Sequence, residues 1–180
     1  VADLWPDSVE QLGVLRTPAV IDVLRRFERW AYRRALFVSA VTEGVARTLV
    51  EQKGVPPEKV LFLPNGVDPE AFRPMAPDVR LMRELGIGEN KKIILYAGTL
   101  GLAHGLDVVL RAFLHWREGV RQVQVVFVGD GSDRARLQSL SKELGLDNVR
   151  FVPPKSPEVI AKLYGCSYAG ITTQKKLQIG

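Results

Sequence analysis

Hydrophobic and polar positions along the chain predict strands and helices that follow one another in alternation. The clearest strand is residues 93–97, a short apolar run with β-branched side chains, and a helix follows it with apolar residues at helical spacing between Leu106 and Leu114. This alternation predicts an α/β fold with Rossmann-like, doubly wound parallel sheets. The other predicted strands are 36–41, 60–63, 123–128, 149–152 and 168–173, and the other predicted helices are 18–36, 42–53, 78–85, 132–144 and 156–164.

Residues with special backbone preferences mark where these elements begin and end. Thr42 is a predicted N-cap, Gly54 a predicted C-terminal turn, and Ser156 a predicted cap with Pro157 in the first helical turn. Prolines crowd residues 67–78, which show neither helical nor strand periodicity, so this segment is predicted to be an interdomain linker. The expected domains are therefore residues 1–66, linker 67–78, and residues 79–180.

The first predicted helix, 18–36, has two faces of opposite character. Four arginines occupy one face, which is open to two interpretations: an ordinary solvated face, or a face that touches anionic lipid at a membrane surface. The apolar stripe opposite them is formed by Val20, Val23, Leu24, Phe27, Trp30 and Ala31, and the arginines are Arg25, Arg26, Arg29 and Arg33.

Composition narrows the class of protein. The 180 residues are 46% apolar and 25% charged, which is ordinary for a globular domain, and no apolar run is long enough to span a membrane. The single Cys166 excludes an internal disulfide framework and a cysteine-rich zinc site. Residues 91–180 carry 13 Lys and Arg against 7 Asp and Glu, an excess that fits an anionic ligand as well as simple solubility. The basic residues are scattered, which argues against nucleic acid.

The glycine-rich segment 98–105 joins the strand 93–97 to its helix. Such a turn brings backbone N–H groups close to an anion, and the helix N-terminus adds a partial positive charge. The segment therefore predicts a diphosphate-binding loop, while the alternative is a tight turn with no ligand. Its spacing, G-x-x-G-x-x-x-G, differs from the G-x-G-x-x-G of dinucleotide-binding Rossmann domains.

Four motifs in order resemble those of the retaining GT-B glycosyltransferases that use nucleotide-sugar donors (glycosyl transferase group 1, or family 4-like). They are Asp-Leu-Trp-Pro-Asp-Ser from residue 3, Leu-Pro-Asn-Gly-Val-Asp from residue 63, Tyr-Ala-Gly with its loop from residue 96, and Phe-Val-Gly-Asp-Gly from residue 127. The first motif and the Gly-Leu-Ala-His-Gly-Leu-Asp form of the loop resemble the branch that builds surface polysaccharides and O-antigens. The resemblance implies a GT-B architecture, of which the chain would hold the central part.

The same resemblance implies roles for particular residues. The donor diphosphate would lie against Gly98, Thr99, Leu100, Gly101, His104 and Gly105. Asn65 and Gly66 would sit at the cleft between the domains, with Gly129, Asp130 and Gly131 at the same sheet edge, although these last glycines could equally be a tight turn. The backbone near Phe151, Val152 and Pro153 would meet the nucleotide base. Asp3 is the candidate catalytic residue, with a loop-capping aspartate as the preferred alternative.

Two departures from the family pattern bear on this expectation. Many relatives have Arg after the first glycine and Lys before the last, where this chain has Thr99 and His104, so the loop supplies less positive charge. The pair of glutamates seven residues apart that contacts the donor sugar does not occur after Gly131. Together with the missing initiator methionine, this absence predicts a fragment that is inactive alone.

The expected function is transfer of a sugar from a nucleoside diphosphate donor, with UDP as the expected nucleotide, to a lipid-linked or polysaccharide acceptor. The alternatives are a nucleotide-sugar 2-epimerase of the same fold and a non-catalytic nucleotide-binding Rossmann module. No cofactor or metal is expected, and no Asp-x-Asp motif occurs in the chain. A cytoplasmic location with peripheral contact to the inner membrane surface is expected, and nucleic acid is not an expected partner.

Overall fold

The computed structural model describes residue 1, residues 3–115 and residues 122–175. These residues divide into two compact units, Val1–Val67 and Asp68–Lys175. Both units are built from strands and helices in alternation, as the sequence predicts.

The first unit contains a pair of parallel strands packed against helices. Strand β1 (Val38–Ala40) pairs with strand β2 (Val60–Phe62) in the register Val38 to Val60. Ala40, Val45 and Leu49 lie in the buried cluster formed by this pair and the helix Glu43–Glu51. Residues 63–78 hold no helix or strand. The elements are α1 (Asp7–Gln11), α2 (Pro18–Arg34), β1 (Val38–Ala40), α3 (Glu43–Glu51), a 3-10 turn (Pro57–Lys59) and β2 (Val60–Phe62).

The second unit contains a four-stranded sheet in which each neighbouring pair is parallel. Its strand order is β5 (Val149–Val152), β4 (Val123–Val128), β3 (Lys92–Ala97) and β6 (Ala169–Gly170). Its elements are α4 (Val79–Glu84), β3 (Lys92–Ala97), a 3-10 turn (Leu102–His104), α5 (Asp107–His115), β4 (Val123–Val128), α6 (Arg134–Glu143), β5 (Val149–Val152), α7 (Pro157–Cys166) and β6 (Ala169–Gly170).

Alternate residues of the strands enter different hydrophobic clusters on the two faces of this sheet. Tyr96 and Phe127 pack with Leu110 of α5 on one face, whereas Leu95 and Val126 pack with α4 and α7 on the other. Because side chains of a strand point to opposite faces in turn, both faces need covering by helices. The expected doubly wound α/β architecture is confirmed for this unit.

Several predicted boundaries differ from the observed ones. The first predicted element is the helix 18–36, but the short helix α1 already begins at Asp7. The last strand is only Ala169–Gly170, not the predicted 168–173. Thr42 caps α3 as predicted by accepting from Val45 N at 3.1 Å, while Ser156 makes no capping hydrogen bond to α7 through its side chain.

Helix α2 buries only one edge of its apolar stripe: Leu24 and Ala31 are half-buried, whereas most of the stripe is exposed. Val23, Phe27 and Trp30 of that stripe are exposed at 62%, 60% and 54%, while Ile21 and Glu28 are buried. One of these two buried residues is charged, and Glu28 accepts hydrogen bonds from Lys53 and Tyr32. Periodicity alone does not reveal such a buried ionic contact.

Candidate functional site

The carboxyl ends of β3, β4 and β5 converge on a cavity of about 420 Å³ in the second unit. This is the edge at which open parallel sheets bind ligands, because the loops that leave the strands meet there. The cavity is lined by Ala97, Gly98, Thr99, Val128, Gly129, Asp130, Pro154, Lys155 and Ile160.

Two glycines after β4 allow the neighbouring loops to lie in direct backbone contact. Gly129 and Gly131 have φ of +145° and +157°, and a Cβ on either would lie 1.9 Å from Gly98 O or 2.4 Å from Leu100 O. Leu100 N donates to Asp130 O at 2.8 Å, and Leu100 O accepts from Asp133 N at 2.9 Å. Both backbone groups of Leu100 are thus occupied, and these two glycines have a structural role whether or not they also touch a ligand.

Arg136 contacts residues at the N-termini of α5 and α6, the two helices that follow these loops. Its guanidinium contacts both carboxylate oxygens of Asp133, at 2.6 and 2.7 Å, and lies 3.7 Å from Asp107 at the start of α5. The hydrogen bond to Asp133 is the main reason that the pKa of Arg136 is raised, although slight burial opposes the shift. This ion pair stabilises the negative charge of Asp133, which is almost completely buried.

Tyr96 supports the conformation of the glycine-rich loop, residues 98–105. Its hydroxyl donates to Thr99 O at 2.7 Å and lies 3.3 Å from the place where a Cβ of Gly98 would be. Burial, with a smaller contribution from Tyr164, raises the pKa of Tyr96, so the hydroxyl stays protonated and remains a donor. The loop conformation at Gly98 and Thr99 therefore depends on this side chain.

We predict that Tyr96→Phe loosens the loop with a modest cost in stability. Loss of this partly buried hydrogen bond removes the contact of the side chain with Thr99 O and should lower the free energy of unfolding by about 1 kcal/mol. If Gly98 and Thr99 bind the donor, affinity for UDP should also fall several-fold. Urea denaturation and calorimetry measure the two effects, and unchanged values in both would contradict the bracing role.

The far end of the loop is held by the segment that follows β6. Thr173 Oγ1 donates to His104 O at 2.6 Å, and Lys175 N donates to Ala103 O at 2.8 Å. The His104 ring packs against the edge of Tyr96, with centroids 6.1 Å apart, and Gly105 adopts the left-handed conformation at φ +59°. His104 and Gly105, like Leu100 and Gly101, lie outside the residues that line the cavity.

The residues expected near the nucleotide base lie partly in the core. Phe151 stacks on Phe127 with centroids 5.2 Å apart, and Val152 O accepts from Gly129 N at 3.1 Å. The cavity wall is instead formed further along by Pro154 and Lys155, and by Ile160 of α7. The sequence prediction stopped at Pro153, although the rule that ligands meet the loops after strands could have extended it.

Asp3, Asn65 and Gly66 belong to the first unit and do not line this cavity. Asp3 is exposed and its Oδ2 accepts from Ser8 Oγ at 3.2 Å, an interaction that matches the loop-capping alternative. Asn65 and Gly66 are exposed after β2. Among the described residues, no group of three or more His, Cys, Asp and Glu side chains is arranged to hold a metal ion.

The first unit contains a partly buried ionic network beside a second cavity of about 330 Å³. Lys53 Nζ contacts Asp7 and Glu28, and Arg25 reaches Asp7 at 3.1 Å. Burial opposes the charge of Lys53, but its two carboxylate partners outweigh this effect and raise its pKa. The network holds α1 against α2 and the turn that follows α3.

Comparison with known proteins assigns the family. Residues 79–173, more than half of the chain, match the family described as Glycosyl transferases group 1. The chain belongs to this glycosyltransferase family. Residues 3–66 match a second description, Glycosyl transferase 4-like domain.

Relatives of this glycosyltransferase chain resemble it over much of its length. It is 32% identical over 183 residues to the "Putative colanic acid biosynthesis glycosyl transferase WcaI" of Escherichia coli, covering 98% of the chain and 44% of WcaI. A D-inositol 3-phosphate glycosyltransferase of Acidothermus cellulolyticus is 33% identical over 66% of the chain and 29% of the relative. The chain thus spans less than half the length of these relatives.

Solved structures share the fold of this glycosyltransferase chain. Anabaena HepE, in complex with UDP and glucose, superposes with a TM-score of 0.73 at 20% identity over 89% of the chain and 44% of HepE. WaaG, a glycosyltransferase involved in lipopolysaccharide biosynthesis, gives 0.71 at 19% identity over 98% of the chain and 50% of WaaG. These neighbours confirm the GT-B fold class.

Proposed function

We propose that the protein transfers a sugar from a UDP-sugar donor to a lipid-linked or polysaccharide acceptor. The observation that carries this proposal is the cavity at the carboxyl edge of the second unit, between Gly98 and Thr99 on one side and Gly129 and Asp130 on the other. HepE, which shares the fold, has been solved with UDP-glucose and supports a nucleotide-sugar donor. WcaI is named as a colanic acid biosynthesis glycosyl transferase, which supports glycosyl transfer in a biosynthetic reaction.

The proposed role of the cavity is to hold the donor and stabilise its departing diphosphate. The glycine loop presents backbone next to the cavity without side-chain bulk at Gly98, and Thr99 adds a hydroxyl group. Charge that develops on the departing diphosphate is best stabilised by donors already in position, because they need no reorganisation during the reaction. The apolar wall formed by Val128 and Ile160 suits the less polar part of the nucleotide.

The remaining site residues extend this proposal beyond the cavity wall. Gly101 and Gly105 would leave room for the diphosphate along the rest of the loop, and the backbone of residues 151–153 would meet the base. Asn65 and Gly66 would face the donor from the acceptor-side domain, residues 1–66. Asp3 remains the proposed catalytic candidate, and no metal or cofactor is assigned to the reaction.

Calorimetric titration of UDP into the full-length protein tests the donor assignment. We expect heat of binding that saturates at one site, because the cavity has room for a single nucleotide. Absence of binding heat for UDP and for the other nucleoside diphosphates would contradict the proposal.

A nucleotide-sugar 2-epimerase or a non-catalytic binding module would use the same cavity. Turnover of a UDP-sugar separates these functions from a transferase. A transferase needs the acceptor to form its product, an epimerase changes the sugar without acceptor, and a binding module does neither. We expect glycoside product that depends on added acceptor, and sugar epimerisation without acceptor would favour the second function.

The exposed face of α2 suits a peripheral contact with an anionic membrane surface. Phe27 and Trp30 stack with centroids 5.6 Å apart on the apolar face, and Val20 and Val23 extend it. Exposed arginines lie around the same helix, so apolar insertion and attraction to lipid phosphate can act together. These arginines are Arg26, Arg29, Arg33 and Arg34. In the described part of the chain, no helix is long and apolar enough to cross a membrane.

We predict that replacing both Phe27 and Trp30 with serine weakens binding to vesicles of phosphatidylethanolamine and phosphatidylglycerol. Loss of two aromatic side chains from the interface should lower the affinity by about tenfold or more. Leu61→Ser is the matched control, because it removes an exposed apolar side chain from β2 instead of α2. Sedimentation with vesicles measures binding, and equal affinities for the double variant and the wild type would contradict this contact.

A further inference from the structure

Two charged side chains line the 420 Å³ cavity, Asp130 and Lys155. The carboxylate of Asp130 is already engaged, since its Oδ1 accepts from Gly131 N at 2.9 Å and lies 3.7 Å from Arg134 Nη1. Arg134 in turn donates to Gly129 O at 3.3 Å. The negative charge of Asp130 is thus stabilised by a backbone N–H group of its own loop and by Arg134 of α6.

Lys155 differs from the lysines that hold the fold together. It is exposed in the loop between β5 and α7, and the structure gives it no hydrogen bond or ion pair with any described residue. Lys53 and Lys162, by contrast, pair with carboxylates of their own units. An uncommitted ammonium group at a cavity wall can pair with a ligand without first breaking a protein contact.

The glycine loop on the other side of the cavity lacks a cation of its own at this position. Its cavity-lining residues are Gly98 and the neutral Thr99, while the His104 ring packs on Tyr96 outside the cavity wall. A diphosphate carries several negative charges, and backbone N–H donors alone stabilise these charges only in part. A charged hydrogen bond from an ammonium group would roughly double the strength of a neutral one.

We propose that Lys155 binds a phosphate group of the donor through its Nζ atom. Lys155 is the one cation among the nine described residues that line the cavity. Its flexible stem lets the ammonium group follow the ligand, as a point charge does not need a fixed orientation. This inference rests on the proposed function and deepens it, because it assigns the charge that recognises the diphosphate.

The test compares UDP and uridine binding to full-length wild-type, Lys155→Met and Lys155→Arg proteins by calorimetry. We expect Lys155→Met to weaken UDP binding by about tenfold, while uridine affinity stays the same and Lys155→Arg retains most of the UDP affinity. The salt dependence of UDP binding should also become shallower in Lys155→Met. Lys142→Met, near the end of α6 and therefore at the opposite edge of the sheet, is the charge-matched control and should bind UDP normally.

Three results would overturn the assignment of Lys155 alone, and a fourth would overturn the proposed function with it. UDP affinity that is unchanged in Lys155→Met excludes the contact, and equal weakening of UDP and uridine places Lys155 on the nucleoside instead. Equal weakening in Lys142→Met shows only a general effect of net charge. Failure of the wild-type protein to bind UDP overturns the proposed function together with this inference, whereas the first three results leave UDP binding itself intact.

Discussion

Replacing Gly129 with alanine is expected to prevent stable folding of the second unit. The added Cβ would lie 1.9 Å from Gly98 O, a backbone atom held in place by the hydrogen bond from Gly98 N to Val128 O at 3.0 Å. The two loops would have to separate, and the backbone at φ +145° is strained for any residue with a side chain. We expect a loss of at least about 3 kcal/mol in the free energy of unfolding.

Gly145→Ala provides a matched control for the effect of conformation alone. Gly145 also has positive φ, +65°, but a Cβ there would meet no atom within 4 Å. Its replacement should cost only about 1–2 kcal/mol, the penalty of the left-handed conformation. Thermal denaturation followed by circular dichroism compares the variants. A Gly129→Ala protein as stable as Gly145→Ala would contradict the close packing of the two loops.

The second large effect is expected for Lys53→Met in the first unit. Lys53 and Glu28 have only 9% and 7% of their side chains exposed, so removal of the ammonium group leaves carboxylates without their partner in a poorly hydrated position. Breaking such a pair costs more than the pair itself contributes, because the remaining charge is uncompensated. The network borders a cavity that can admit water, so we expect a loss of about 2–3 kcal/mol.

Two further variants isolate the electrostatic cause. Addition of Glu28→Gln to Lys53→Met should recover part of the lost stability, because it removes one of the unpaired charges. Arg47→Met removes an exposed charge from α3, the helix that precedes Lys53, and should change stability by less than about 0.5 kcal/mol. Urea denaturation measures all three. A double variant no more stable than Lys53→Met would show that lost packing, not unpaired charge, dominates.

Acid should remove the same stabilisation. Burial acts to raise the pKa of Asp7, but the hydrogen bonds and charges of Lys53 and Arg25 outweigh it and hold the pKa below the ordinary value of 3.8. Because the pKa is lower in the folded state, this contribution is present above pH 3.8 and is lost as the pH falls through the folded value. The difference in stability between wild type and Lys53→Met should therefore shrink below that pH.

Local sequence patterns predict the second unit well, because each of its strands and helices follows such a pattern within its own residues. The buried run that became β3 is apolar on both faces, which is the signature of a strand covered by helices on each side. Gly86 and Gly145 end α4 and α6 in the left-handed conformation, as expected of glycines after a helix. These signals lie within a few residues of the features they predict.

Features that depend on distant residues were not predictable in the same way. The buried face of α2 is decided by the contact of Glu28 with Lys53, which lies 25 positions further along the chain. The need for glycine at 131 comes from the backbone of Leu100, and no local pattern contains that approach. In both cases the cause is a tertiary contact that overrides, or lies outside, local periodicity.

The sequence predicts where the candidate site lies better than it predicts which residues form the site. The sheet edge, the loop at Gly98 and Thr99, and the turn at Gly129 and Asp130 come together as expected for parallel strands. Lys155 is not among the predicted site residues, because those after β5 extend only to Pro153. The residues of this loop that line the cavity are Pro154 and Lys155. Which further residues contact a donor remains a prediction.

The central claim is that this cavity holds the diphosphate of the donor, and amide chemical-shift mapping of UDP binding tests it most directly. Titration of UDP into the isotope-labelled full-length protein should shift the resonances of Gly98, Thr99 and Asp130 with a single saturation curve. Amides at the opposite edge of the sheet, such as Lys142 near the end of α6, should stay unchanged. Saturable binding of UDP that leaves Gly98, Thr99 and Asp130 unshifted would contradict the account.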